Sequence, residues 1–150
     1  MNDLQIAVIG GPSADPIKNA ITRRPGMALC AEATGRDSAA TIFRSRGVQA
    51  VAIYTGADSA PGLCEAALQS GLHVLCIGPP ARNIEDIMRI RRAEGASQAK
   101  IRFDMPLRAH ASVTSALSLA ASGVLGNLLT VRAVYAAADG QPGVLMHRGF

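Results

Sequence analysis

The chain has 150 residues, about one domain's worth, with 49% hydrophobic and 17% charged residues, a globular rather than a disordered composition. Aromatics make up 3% and Trp is absent, which argues against an aromatic base-stacking surface and leaves Ala, Val, Leu and Ile to build the core. The net charge of +4 sits mostly in scattered arginines: these read first as solvated helix faces, next as contacts for an anionic small ligand such as a dinucleotide or sugar nucleotide, and no basic motif points to nucleic acid.

In chain order, Gln5 to Ile9 is a short apolar run closed by Gly10-Gly11-Pro12 and reads as a buried strand. Asp15 is placed to cap a helix with Pro16 in its first turn, and Ile17, Ala20 and Ile21 form its apolar stripe. Met27 to Ala33 is a second strand. A helix from Asp37 closes at Gly47, and Val48 to Tyr54 is a third strand followed by a polar loop, Thr55 to Ser59. Pro61 to Ser70 is helical with Leu63, Ala66, Ala67 and Leu68 inward, and Leu72 to Ile77 is the fourth strand. Asn83 to Glu94 is an amphipathic helix with Ile84, Ile87, Met88 and Ile90 inward. Lys100 to Phe103 completes five strands. A helix from His110 to Ser122 and an apolar strand from Leu128 to Tyr135 follow.

This alternation of strand and helix is the rhythm of βαβ units, so a doubly wound parallel sheet of Rossmann-like α/β class is expected. Cys30, Cys64 and Cys76 form no CxxC pair and no zinc spacing. Two fall in apolar strands, and an odd count without a framework suits a reducing compartment. The start, MNDLQIAVIGG, lacks a signal-peptide pattern, and no apolar run reaches the length of a membrane span. A cytoplasmic protein without membrane or nucleic-acid partners is expected.

The segments IAVIGG, VQAVAIYT, AALQSGLHVLCIGPPA and ASGVLGNLLTVRAVY, in this order and spacing, resemble the glucose–fructose oxidoreductase / inositol dehydrogenase (Gfo/Idh/MocA) family. GLHVLC is similar to that family's G-K-H-V-x-C-E-K-P. The resemblance implies a dinucleotide-binding domain over residues 1–108. Residues 109–150 would then be a short helix-plus-strand remnant of a second α/β domain, which in the family binds a sugar or polyol substrate and makes oligomer contacts. It further implies NADP or NAD as cofactor.

Position by position, the resemblance is uneven. The phosphate loop wants G-x-G-x-x-G, whose glycines let backbone approach pyrophosphate. Gly10 supplies the first, Gly11 follows, Pro12 stands at the second and Asp15 at the third. Proline has no N–H, and a carboxylate at Asp15 competes with phosphate for the helix N-terminus. The acidic ribose selector after the second strand is replaced by Thr34, with Arg36 two residues on, which favours a 2′-phosphate and hence NADP; the plain alternative is an exposed Arg36. Thr55 matches the first residue of a Thr-Pro-Asn loop near the nicotinamide.

After Cys76 the family's Glu-Lys-Pro, whose lysine moves a proton to or from the substrate hydroxyl, is reduced to Ile77, Gly78 and Pro79. General acid–base work needs a titratable head, so no catalytic residue is assigned. The cofactor-binding candidates are Gly10, Gly11, Pro12, Thr34, Arg36, Thr55, Gly78 and Pro79, and no metal ligand is assigned. His73 matches a family histidine of structural type; the roles of Asp104, His110 and His147 stay open. Between Arg36 and Gly47 there is room for one helix where the family fits a helix, a strand and a second helix. The expectation is a nucleotide-binding domain of a sugar or polyol oxidoreductase, inactive alone. The alternative is a non-catalytic Rossmann-like module that homo-oligomerises through strand 128–135 or pairs with a partner.

Overall fold

The computed structural model describes residues 3–131. Residues 132–135 of the expected last strand, and His147, lie outside the described residues. The chain divides into two compact units, Met1–Pro106 and Leu107–Phe150.

The first unit is built on β1 (Leu4–Ile9), β2 (Met27–Ala33), β3 (Ala50–Ile53), β4 (His73–Ile77) and β5 (Ile101–Asp104). All pairings are parallel, in the order β2-β1-β3-β4-β5. Between the strands lie α1 (Asp15–Arg23), entered by a 3-10 turn at Pro12–Ala14, α2 (Arg36–Phe43), α3 (Ala60–Gln69) and α4 (Ile84–Gly95). This is the expected Rossmann-like α/β fold, and β2 is an edge strand because only one helix fits between it and β3.

Right-handed crossovers dictate the layers. The step from β1 to β2 runs one way along the sheet, and all later steps run the other way. Hence α1 covers one face while α2, α3 and α4 cover the opposite face. The core accordingly splits in two. Ile9, Val51, Ile53, Val74 and Cys76 face Ile42, Leu68 and Ile90 from α2, α3 and α4. Ile6, Val8 and Ala52 face Ile21 and Ala14. Ile9, Ile53, Leu68 and Ile90 are fully buried, each worth about 1.5–3 kcal/mol of transfer free energy.

Within the first unit, three helices lie on the first face and one on the second. Beside α1, over β3 and β4, an open apolar groove of about 410 Å³ remains, floored by Ala50, Ala52 and Leu75. Leu75 on this face is 41% exposed.

Several local readings change. Asp15 does not cap α1: it is the first helical residue, Ala14 is the N-cap, and no side-chain cap bond forms. The Asp15 carboxylate instead meets Lys18 Nζ at 3.0 Å. α2 ends at Phe43 rather than near Gly47, and β3 begins at Ala50 rather than Val48. In α4 the inward residues are Ile90 and Ala93, whereas Ile84 and Met88 are 64% and 48% exposed. The helix packs chiefly through its second half, so its first apolar turn overhangs the core. Asn83 does cap it, its Oδ1 accepting the Asp86 N–H at 2.8 Å. Cys30 is exposed at the register irregularity where Ile6 pairs with Leu29 and Ala7 with Ala31, while Cys64 and Cys76 are buried.

In the second unit α5 spans Ala111–Ala121. His110 is its N-cap, Nδ1 accepting the Ser112 N–H at 3.4 Å. No helix among the described residues is long and apolar enough to cross a membrane.

Candidate functional site

In an open α/β sheet ligands gather at the carboxyl ends of the strands where the strand order reverses. Here the reversal lies between β1 and β3, and the residues leaving these strands and β2 meet there. Gly10 N–H donates to Ala33 O at 2.8 Å, and Tyr54 N–H to Ile9 O at 2.8 Å. The three strand ends are thereby tied together. Gly10 has no room for a side chain: a Cβ there would lie 2.7 Å from Tyr54 O and 3.0 Å from Ala14 Cβ. Gly10 thus permits the tight turn out of β1 that the first glycine of a dinucleotide loop provides.

The rest of that loop is turned inward. Ala14 N–H donates to Gly11 O at 2.9 Å and Asp15 N–H to Pro12 O. Pro12 has no N–H to offer. Two of the donors that would face a pyrophosphate are thus consumed by the 3-10 turn. Lys18 lies beneath, joined to Glu32 at 2.6 Å and Asp15 at 3.0 Å. Its pKa is raised, first by the Glu32 carboxylate and then by Asp15.

Next to this loop a polar cavity of about 200 Å³ opens between the ends of β2 and β3. Thr34, Gly35 and Arg36 form one wall; Thr55, Asp58, Ser59, Gly62 and Leu63 form the other. Thr34 and Arg36 are therefore brought together with Thr55, which is distant in sequence. Thr55 Oγ1 is buried without a hydrogen-bond partner among the described residues. An unsatisfied buried hydroxyl costs about 1–3 kcal/mol, so it is a group that a bound molecule would satisfy.

Arg36 has no carboxylate within ion-pair distance among the described residues. Its guanidinium lies against Gly62, where any side chain would collide with it. Asp58, the acid on the wall, is instead engaged by Arg82 at 2.8 Å. The Ser38 hydroxyl holds the turn before α2, accepting from Gly35 N–H at 3.3 Å and donating to Gly35 O at 3.0 Å.

Gly10, Gly11 and Pro12 border the same crevice without lining this cavity. Gly78 and Pro79 lie apart from it at the end of β4. Gly78 has φ +91°, and its N–H donates to Asp104 O at 2.8 Å. His73 serves structure, its Nδ1 accepting the Lys100 N–H at 3.1 Å across to β5. Cys64 and Cys76 sit in the core; the neighbouring Cys76 thiol and then burial push the Cys64 thiol up. No cluster of potential metal ligands occurs among the described residues.

Ser59, Asp58 and Gly62 were not singled out from sequence. The one signal was the Ser59-Ala60-Pro61 start of α3, which places a polar residue and a helix N-terminus at the end of β3.

No family model matches the sequence, and no curated protein is similar enough in sequence to count as a relative. Solved structures do match. Scyllo-inositol dehydrogenase from Lactobacillus casei with bound NAD(H) and scyllo-inositol shares 16% identity, covering 85% of this chain and 44% of that one, with a TM-score of 0.70. A point mutant of a 3-ketoreductase from Actinomadura kijaniata in complex with TDP-benzene and NADP shares 19%, covering 85% and 45%, with a TM-score of 0.72. An NAD-binding protein from Listeria innocua shares 18%, covering 69% and 34%, with a TM-score of 0.61. At these identities the likeness establishes the fold alone, a Rossmann-like α/β fold. The chain spans less than half the length of these structures.

Proposed function

We propose that this chain is the nucleotide-binding part of a Gfo/Idh/MocA-type sugar or polyol oxidoreductase, and that it holds NAD or NADP without turning over substrate alone. The observation carrying this reading is the polar cavity at the reversal of strand order, which joins Thr34, Arg36 and the unpartnered Thr55 hydroxyl. A cavity of about 200 Å³ falls below the ~300–1,000 Å³ of drug-sized ligand sites, so it suits one end of a dinucleotide. In that reading the adenosine end enters between Thr34 and Ser59, and Arg36 faces the ribose. Gly10, Gly11 and Pro12 pass beneath the pyrophosphate, and Gly78 and Pro79 flank the nicotinamide end. When bound, the nicotinamide supplies or accepts a hydride.

The residues of this chain bind and orient. At the family's lysine position stands Gly78, which offers no proton donor. Residues 109–150 begin the second domain, and the solved neighbours extend well beyond the length of this chain. The test is a thermal-shift and fluorescence titration with NADH and NADPH. A ligand at a hundredfold excess over Kd stabilises the native state by about 2.7 kcal/mol. A shift with either cofactor supports the reading, and no shift with both refutes it.

A second reading is a Rossmann-like interaction module that pairs with a partner or with itself, the latter through the apolar segment 128–135. Light scattering after size exclusion tests self-association, and a concentration-independent monomer removes that route.

A further inference from the structure

We infer that the affinity for the nucleotide resides in a phosphate-monoester seat in the polar cavity, not in the loop after β1, and that Arg82 keeps this seat positive by holding Asp58. This rests on the nucleotide-binding reading and names the part of the ligand that is gripped.

The loop after β1 is poorly equipped for a diphosphate. Gly10, Ala14 and Asp15 spend their N–H groups on Ala33 O, Gly11 O and Pro12 O, and Pro12 has none. Lys18 is shared between Glu32 at 2.6 Å and Asp15 at 3.0 Å. Two carboxylates against one ammonium leave a negative charge over, where a dinucleotide brings two more. The first turn of α1 is already occupied by the Asp15 carboxylate, the place an incoming anion would take.

The cavity has the opposite balance. Its charged lining residues are Arg36 and Asp58. Asp58 pairs with Arg82 at 2.8 Å, while Arg36 has no carboxylate within ion-pair distance among the described residues. Two guanidinium groups against one carboxylate leave a positive charge over, and Arg36 is the group that carries it. Gly62, bare of a side chain, gives that guanidinium its place beside the start of α3. An arginine holds phosphate through two parallel N–H bonds. The buried, unpartnered Thr55 hydroxyl offers a further donor from the β3 side.

Arg82 follows the Gly78-Pro79-Pro80 turn at the end of β4. Without it, Asp58 would face Arg36 across the same cavity and cancel the charge a phosphate needs. Arg82 is therefore a positioning residue that acts through Asp58.

Isothermal titration calorimetry of the full chain with NADPH, NADH and adenosine 2′-monophosphate tests this. NADPH is expected to bind at least tenfold more tightly than NADH, and adenosine 2′-monophosphate within tenfold of NADPH. Arg82→Gln should weaken both phosphate-bearing ligands about threefold, the scale of an exposed ion pair, and leave NADH unchanged. Adding Asp58→Asn to Arg82→Gln should restore them, and thermal denaturation checks that each variant is folded. A mononucleotide more than tenfold weaker than NADPH, or a smaller preference for NADPH over NADH, overturns the proposal. So does an Arg82→Gln variant that loses nothing, or whose loss Asp58→Asn does not restore. Each of these outcomes leaves the nucleotide-binding reading standing; binding of none of the three ligands refutes both.

Discussion

Replacing Gly10 by Ala tests whether the crevice rests on one close approach of backbone to backbone. The new methyl would sit 2.7 Å from Tyr54 O and 3.0 Å from Ala14 Cβ. Neither neighbour yields easily: Tyr54 is held in the sheet by its N–H bond to Ile9 O at 2.8 Å, and Ala14 is fully buried. Overpacking of this kind costs about 1–3 kcal/mol. At roughly 4 °C per kcal/mol for a unit of this size, the melting temperature should fall by about 4–12 °C. Gly11→Ala is the internal control. No atom lies within 4 Å of its Cβ position and its φ is −76°, so its cost should stay within about 0.5 kcal/mol. Urea titration with matched m-values, together with thermal melts, reads both variants. Equal midpoints for Gly10→Ala and Gly11→Ala would refute the reasoning, because the approach of β1, β3 and the α1 turn would then not be close-packed.

Three further outcomes are expected. Gly78→Lys, which puts the family's side chain back, should lose about 1–2 kcal/mol in urea titration, since φ +91° strains any L side chain; an unchanged midpoint would contradict the turn geometry. Lys18 has a raised pKa: its ion pairs are fully present below the unfolded value of 10.5 and are lost as pH rises through the folded one. Urea midpoints should therefore drop more steeply above about pH 10.5 in the native chain than in Lys18→Met, and parallel curves would dismiss the linkage. Among the three cysteines, Cys30 is exposed while Cys64 and Cys76 are buried. A disulfide-exchange reagent should thus label one thiol quickly and the other two only on unfolding; fast labelling of all three would mean that the α3–β4 core opens.

Strand and helix identity was legible from local sequence wherever a short apolar run met a turn signal. Met27 to Ala33 forms β2 with those bounds, and Asn83 caps α4 as its side chain suggests. Those features depend on neighbours along the chain. What local pattern could not supply was which part of an apolar stripe finds something to pack against. Ile84 and Met88 lie on the same periodic stripe as Ile90, yet only Ile90 meets α3 and the sheet.

The sequence by itself determined the parallel α/β class, the resemblance at GLHVLC, and the absence of a titratable group at Gly78, because each is a matter of residue type and spacing. Only the tertiary structure decided that Thr34 and Arg36, leaving β2, share a cavity with Thr55, Ser59 and Gly62, leaving β3. β1 lies between these two strands in the sheet, while a helix and a turn separate them along the chain. Their meeting is set by strand order and crossover hand, which no stretch of neighbouring residues encodes. Within the first unit the same two rules put α1 on one face and α2, α3 and α4 on the other, with the groove beside α1.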